Sequence, residues 1–306
     1  MKVGHLLKVR DLSAEWIGEL FRVAKRLKET HNHHPRPLVG KTLGLLFQKP
    51  SVRTRVSFEV GMAQLGGQSI YIGPVELGGG SREAPKDVAR VLSRYLDAIV
   101  ARTFRHQDVE EMAEVSTIPV INGLSDHSHP CQALADLFTV QEKVGKLRGC
   151  RMAYVGDGNN VCHSLLGACG LMGMHFSAAT PKGFEPDAGM VRWAAAQARK
   201  SGGSVRVGRD AAEAARGAQV VYTDVWASMG QEDQREKRKR LFRAYQVNTA
   251  LMKRAAPGAW FMHCLPAHRG EEVTDEVIDS KHSIVYDQAE NRLHVQKAVL
   301  LDLLRP

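Results

Sequence analysis

Four short stretches of this sequence set reactive side chains where an apolar, strand-like run gives way to a loop or a helix. The first is Ser51-Val52-Arg53-Thr54-Arg55, which follows the apolar run Thr42–Phe47 and opens a helical pattern. With Ser51 as N-cap, the amides of Arg53 and Thr54 have no partner inside the helix, and the helix dipole adds partial positive charge there. An anion would meet N–H groups, two hydroxyls and a guanidinium, the parts of a phosphate site; a plain capped surface helix is the alternative. The second stretch is His129-Pro130-Cys131-Gln132. A histidine and an amide at a helix start can polarise a carbonyl oxygen together, or merely cap the helix. The third, His263-Cys264-Leu265-Pro266, ends an apolar strand. Pro266 biases Leu265 toward extended backbone and leaves carbonyls facing a crevice, unless Cys264 is only a buried structural thiol. The fourth runs from Asp224 to Gly230. Asp224 suits an ammonium, while Ser228 and the Met229 amide suit a carboxylate; an aspartate cap before a glycine loop has the same composition.

Strands and helices must alternate to bring these groups together. Strand-like runs occur at 42–47, 68–73, 98–103, 118–124, 151–156, 175–181, 204–208, 218–226, 258–266 and 283–288, with helical periodicity between most of them. Ser13 precedes Trp16, Leu20, Val23 and Leu27 at helical spacing, and the final segment from Ala289 is an amphipathic helix. This alternation predicts an α/β protein built from right-handed βαβ units, with two domains, each a mainly parallel sheet flanked by helices. The expected division is 1–140, joined by the C-terminal helix 290–306, and 141–289.

Composition narrows the partners. With 306 residues, 43% apolar and 25% charged, the chain is that of a globular protein of about two domains. No apolar run reaches the ~20 residues of a membrane span. The five dispersed cysteines, without a CxxC pair, fit reduced thiols in the cytoplasm and argue against a zinc ribbon. The charge of +9 suits an anionic small molecule, a membrane surface or a nucleic acid alike. The basic run Gln234–Arg240 is the one segment that would favour nucleic acid; without interleaved aromatics, a solvated face accounts for it better. Gly156 and Gly158 begin a dinucleotide fingerprint, but Val161 stands at its third glycine and no acidic residue closes the next strand.

Taken together and in this order, "SVRTR", "HPCQ", "DVWASMG" and "HCLP" resemble the markers of the aspartate/ornithine carbamoyltransferase family, and the last two resemble its ornithine-using branch. Further similarity in "DVARVLSRYLDAIVARTF", "GDGNN", "AATPKGFEPD" and "AENRLHVQKAVL" extends it over nearly the whole chain. The resemblance implies carbamoyl phosphate bound by Ser51, Val52 (through its amide), Arg53 and Thr54. Arg102 would bridge phosphate and carbonyl, His129 and Gln132 would hold the carbamoyl group, the carbonyls of Cys264 and Leu265 would take its amide, and Arg292 would complete the pocket. Ornithine would lie on Asn160, Asp224, Ser228 and Met229, and the product would be citrulline. Of these, Arg102, His129, Gln132, Cys264 and Arg292 would be the catalytic set. The resemblance implies no metal or other cofactor, no nucleic acid and no membrane partner, and it implies a homotrimer. Val52 stands where the family usually has threonine or glycine, which removes a hydroxyl and keeps the N–H.

Overall fold

The computed structural model describes residues 4–30, 35–78, 83–227 and 232–304. The chain forms two compact units, residues 1–135 with 290–306, and residues 136–289.

The first unit carries a four-stranded parallel sheet. Its strands are β1 (Thr42–Phe47), β2 (Gln68–Ile72), β3 (Ala98–Arg102) and β4 (Val120–Leu124), in the order β2-β1-β3-β4. Helix α1 (Ala14–Glu29) precedes the sheet, α2 (Val52–Gln64), α3 (Pro85–Leu92) and α4 (His106–Val115) connect its strands, and α5 (Pro130–Val144) follows β4. Ser13 caps α1 by accepting from the Trp16 amide, and Ile17, Leu20, Phe21, Ala24 and Leu27 form its buried stripe. Strand β3 is buried along its whole length, as a central parallel strand must be when both faces are covered, whereas the edge strand β2 is partly exposed.

The second unit carries five parallel strands in the order β7-β6-β5-β8-β9. They are β5 (Arg151–Val155), β6 (His175–Ala179), β7 (Ser204–Gly208), β8 (Val220–Thr223) and β9 (Trp260–His263). Between them run α6 (Asn160–Leu171), α7 (Ala188–Ser201), α8 (Ala211–Ala215), α9 (Arg235–Phe242) and α10 (Thr249–Met252); α11 (Asp275–Ile278) and α12 (Val285–Leu304) follow. Tyr154 and Tyr222 stack with centroids 5.9 Å apart in the core. No described helix is long and apolar enough to cross a membrane.

The order in which strands are added reverses once in each parallel sheet, between β1 and β3 in the first unit and between β5 and β8 in the second. At such switch points neighbouring loops diverge and open a crevice at the strand ends. Ser51 follows β1, Arg102 ends β3, Asn160 follows β5 and Asp224 follows β8.

The run 283–288, expected as a strand, is not one. Ser283 makes a single parallel bridge to Phe261, the Ile284 amide donates to the Phe261 carbonyl at 3.0 Å, and α12 starts at Val285. Its β-branched and aromatic residues favour a strand, but the Gln288 side chain is needed elsewhere. It donates to Asp136 at 2.7 Å and to the Tyr222 hydroxyl at 3.0 Å, and accepts from the His263 amide at 3.0 Å. A helix beginning at Val285 delivers that side chain; a sixth strand would not.

The glycines after β5 serve packing. The Gly158 amide donates to the Phe184 carbonyl at 2.9 Å, and a Cβ on Gly158 would lie 2.2 Å from the Pro186 nitrogen. Gly158→Ala should therefore cost ~1–3 kcal/mol in urea unfolding. Gly208→Ala, where a Cβ meets nothing within 4 Å, should change stability far less; equal losses would contradict this account.

Candidate substrate sites in the two units

In the first unit the strand ends and helix starts assemble a cationic cradle. Ser51 has extended backbone (φ −162°, ψ 109°), and its Oγ accepts from the Thr54 amide at 3.3 Å. That N-cap uses the Thr54 amide, which the sequence had left outside the helix. The amides of Val52 and Arg53 are therefore the ones beyond the helical ladder. Arg102 pairs in register with Phe47, and its carbonyl accepts from the Gln48 amide at 2.8 Å, so β1 and β3 stay joined to their last residues. A register shift between Ala101 and Arg102 breaks the β3–β4 ladder there.

Arg292, from the last helix, is the hub. Its guanidinium is buried and donates to Gln132 Oε1 at 2.6 Å and to Thr54 Oγ1 at 3.2 Å. With its amide oriented oxygen-first, Gln296 accepts from Arg292 Nε at 3.1 Å and Nη2 at 2.8 Å. His129 is buried beside these cations. Burial first, and then the fields of Arg292, Arg102, Lys49 and Arg53, hold its imidazole well below the usual range, so it is neutral. Arg55 turns away, paired with Glu59 at 2.9 Å and stacked over Tyr71 at 3.9 Å.

In the second unit Asn159, which the sequence reading passed over, is the organiser. It caps α6 by accepting from the Val161 and Cys162 amides at 3.0 and 3.1 Å, and its Nδ2 donates to Asp224 Oδ2 at 2.7 Å. An asparagine just before the apolar run of α6 was the available signal. Asn160, the expected ligand, is the first residue of that helix and is buried. Asp224 Oδ1 accepts from the Val225 amide at 2.8 Å and the Cys264 thiol at 3.0 Å, so the third and fourth stretches meet. Ser228 and Met229 lie outside the described residues.

The turn after β9 depends on His263, also unassigned by sequence. Leu265 sits at φ 59° before a cis peptide to Pro266. This left-handed backbone replaces the extended geometry expected of a residue before proline. Its amide donates to His263 Nδ1 at 2.8 Å, which requires the proton on Nε2, 3.2 Å from the buried carboxylate of Glu272. Glu272 Oε1 also accepts from the His268 amide at 2.5 Å. Asp224, His263 and Cys264 bring potential metal ligands within 4.8 Å of one another, yet both ring nitrogens of His263 are engaged.

The basic run is neither a solvated face nor a nucleic-acid surface throughout. Arg238 is buried, donating to Asp157 and to the Trp226 carbonyl, each at 2.8 Å, and lying over the Phe184 ring. Arg235 and Lys239 both pair with Glu271. Burial pushes Asp157 up to about 6 against the pull of Arg238.

Comparison with known proteins agrees with this layout. Residues 4–142 match the family "Aspartate/ornithine carbamoyltransferase, carbamoyl-P binding domain", and residues 148–303 match its "Asp/Orn binding domain". The anabolic ornithine carbamoyltransferase of Pyrococcus furiosus is 55% identical over 297 residues, covering 96% of this chain and 94% of that protein. Its solved structure superposes with a TM-score of 0.95 at 54% identity, covering 99% of this chain and 97% of that one. The anabolic enzyme of Campylobacter jejuni superposes with a TM-score of 0.93 at 36% identity, covering 98% and 99%. Two family domains in the right order, on relatives matched nearly end to end, leave one assignment: this chain belongs to the aspartate/ornithine carbamoyltransferase family.

Proposed function

We propose that this chain transfers the carbamoyl group of carbamoyl phosphate to the δ-amino group of L-ornithine, giving L-citrulline and phosphate. Carbamoyl phosphate binds the first unit and ornithine the second. The observation that carries the reading is the Arg292 hub, which fixes Thr54 and Gln132 beside a neutral His129. The biosynthetic direction of arginine metabolism is supported by the anabolic relatives.

The phosphate takes Ser51, Arg53, Thr54 and the Val52 amide. The Val52 side chain is 77% exposed, which supports contact through the backbone alone. Arg102 spans phosphate and carbonyl. The neutral His129 polarises the carbonyl through an N–H without adding a further cation, and Gln132 orients the carbamoyl group. Asn160, Asp224, Ser228 and Met229 hold the amino-acid end of ornithine, with Asp224 on the ammonium. The uncharged δ-amine attacks the carbamoyl carbon, the bond to the phosphate oxygen breaks, the proton lost by the amine leaves with the phosphate, and the arginines and helix amides stabilise charge gathering on the phosphate.

The carbonyls of Cys264 and Leu265 accept from the carbamoyl NH2, and His263 positions them. His263→Asn keeps an acceptor where Nδ1 stands; His263→Gln keeps one near Nε2 only. The Asn variant should retain most of kcat, and the Gln variant should lose ~10²-fold, as a misplaced reacting group does. Equal losses would remove the Leu265 bond as the reason.

Citrulline formation from carbamoyl phosphate, measured against ornithine, putrescine, N-acetylornithine and aspartate, tests the substrate. Absence of a preference for ornithine would reject it. Arg53→Ala should lower kcat/KM about 10²–10³-fold with the fold intact; near-wild-type turnover would move the phosphate elsewhere.

We assign a homotrimer and a cytoplasmic home as well. Val52, Val56 and Val60 form a stripe on α2, 77%, 47% and 38% exposed, and Ile70 and Val75 lie exposed in and just after the edge strand β2. An apolar surface of this kind marks an interface. The five free cysteines support a reducing compartment. Val56→Asp with Val60→Asp should shift the sedimenting mass from trimer to monomer, and an unchanged trimer mass would overturn this interface.

A further inference from the structure

Lys49 stands between the end of β1 and the Ser51 cap and has no role in the scheme above. It is 8% exposed, and its Nζ lies 5.0 Å from the Phe104 ring centroid. It makes no hydrogen bond or ion pair with any described residue. A buried ammonium ordinarily has a carboxylate beside it, because desolvation penalises an uncompensated charge. An aromatic face offsets only part of that cost.

Charged groups of both signs act on Lys49. Arg102, at the end of β3, repels it, and the exposed Asp126, after β4, attracts it. Asp126 is itself engaged by the His106 amide at 2.7 Å. The electrostatic environment of His129 joins Lys49 to Arg53 on α2 and Arg292 on α12 as well as to Arg102. Lys49 thus has one weakly placed carboxylate near it and shares the surroundings of His129 with three guanidinium groups. Such a cluster is completed by an anion of more than one charge.

We propose that Lys49 is a further ligand of the carbamoyl phosphate dianion, and that it takes up a proton from solution as that dianion binds. The inference rests on the reading that the first unit holds carbamoyl phosphate. Burial and Arg102 push the free ammonium down to about 8, against the smaller pull of Asp126. Below that pH Lys49 is already charged and binding moves no proton. Above it Lys49 is mostly the neutral amine, and the arriving dianion restores the ammonium. The proton returns to solvent when phosphate departs, so the overall reaction is unchanged. Substrate affinity therefore weakens as pH rises through 8, more steeply than a cradle of arginines alone would allow.

Calorimetric titration with fresh carbamoyl phosphate, without ornithine, in two buffers of different ionisation enthalpy reads the proton directly. Wild type should take up a substantial fraction of a proton at pH 8.5 and almost none at pH 6.5. Lys49→Arg, whose guanidinium stays charged, should show no uptake at either pH. Lys49→Met should bind at least ~10-fold more weakly at pH 6.5, as loss of a charge-assisted contact requires. No uptake by wild type at pH 8.5, persistence of that uptake in Lys49→Arg, or unchanged affinity in Lys49→Met would each overturn the proposal. Arg53→Ala separates the two ideas: normal binding there would sink the phosphate site itself, whatever Lys49 does.

Discussion

A buried guanidinium gripped by three neutral side chains is the constraint on which the first unit depends. Gln132, Thr54 and Gln296 each accept from Arg292 without cancelling its charge. A carboxylate in their place would be a better counter-ion and a worse anion site, because the positive potential would be spent before a substrate arrived. Holding the charge this way fixes the starts of α2 and α5 and the rotation of α12 together. His129 then sits among cations and stays neutral, so the cradle gains a hydrogen-bond group without further self-repulsion.

The second unit treats its charges the same way near the switch point and differently away from it. Asp224 is bound by an amide side chain, a backbone amide and a thiol, each neutral, and so keeps a negative charge to offer. Arg238 and Asp157 instead face each other directly at 2.8 Å, and each uses up the other's field. The contrast separates groups positioned for a ligand from groups positioned for the fold. It also explains why a basic run in the sequence is a poor guide to a basic surface: the burial of Arg238 and the pairing of the run with Asp157 and Glu271 are set by residues remote in sequence.

The parallel sheets follow from alternation of strand and helix, and the places of Ser51 and Asp224 follow from the strand ends that precede them. Those features were legible because they depend on local periodicity and turn chemistry. The strand order and the roles of Arg102 and Asn160 do not follow from periodicity. Glu272 as the partner of His263 was not, since the pairing requires a loop to fold back over β9, and no local pattern encodes it. The helical start at Val285 was hidden for a related reason: β-branched residues read as strand, while the bonds of Gln288 to Asp136, Tyr222 and His263 decide otherwise. Lys49 was invisible because its distinction lies in what is missing around it. Val52 looked like a departure at the phosphate site; its side chain points to solvent and continues a stripe with Val56 and Val60.

The contact between Arg292 and Thr54 joins residues 238 positions apart. A ribosome therefore makes the helix start early and the hub almost last, with the whole second unit translated between them. Until α12 emerges, the sheet of the first unit can form, but the bonds of Arg292 to Thr54 and Gln132 cannot. Closing so long a loop late also makes the site one of the slowest parts of the unit to assemble. The start of α2 thus takes its final set of bonds only after the last helix of the chain has been made and docked.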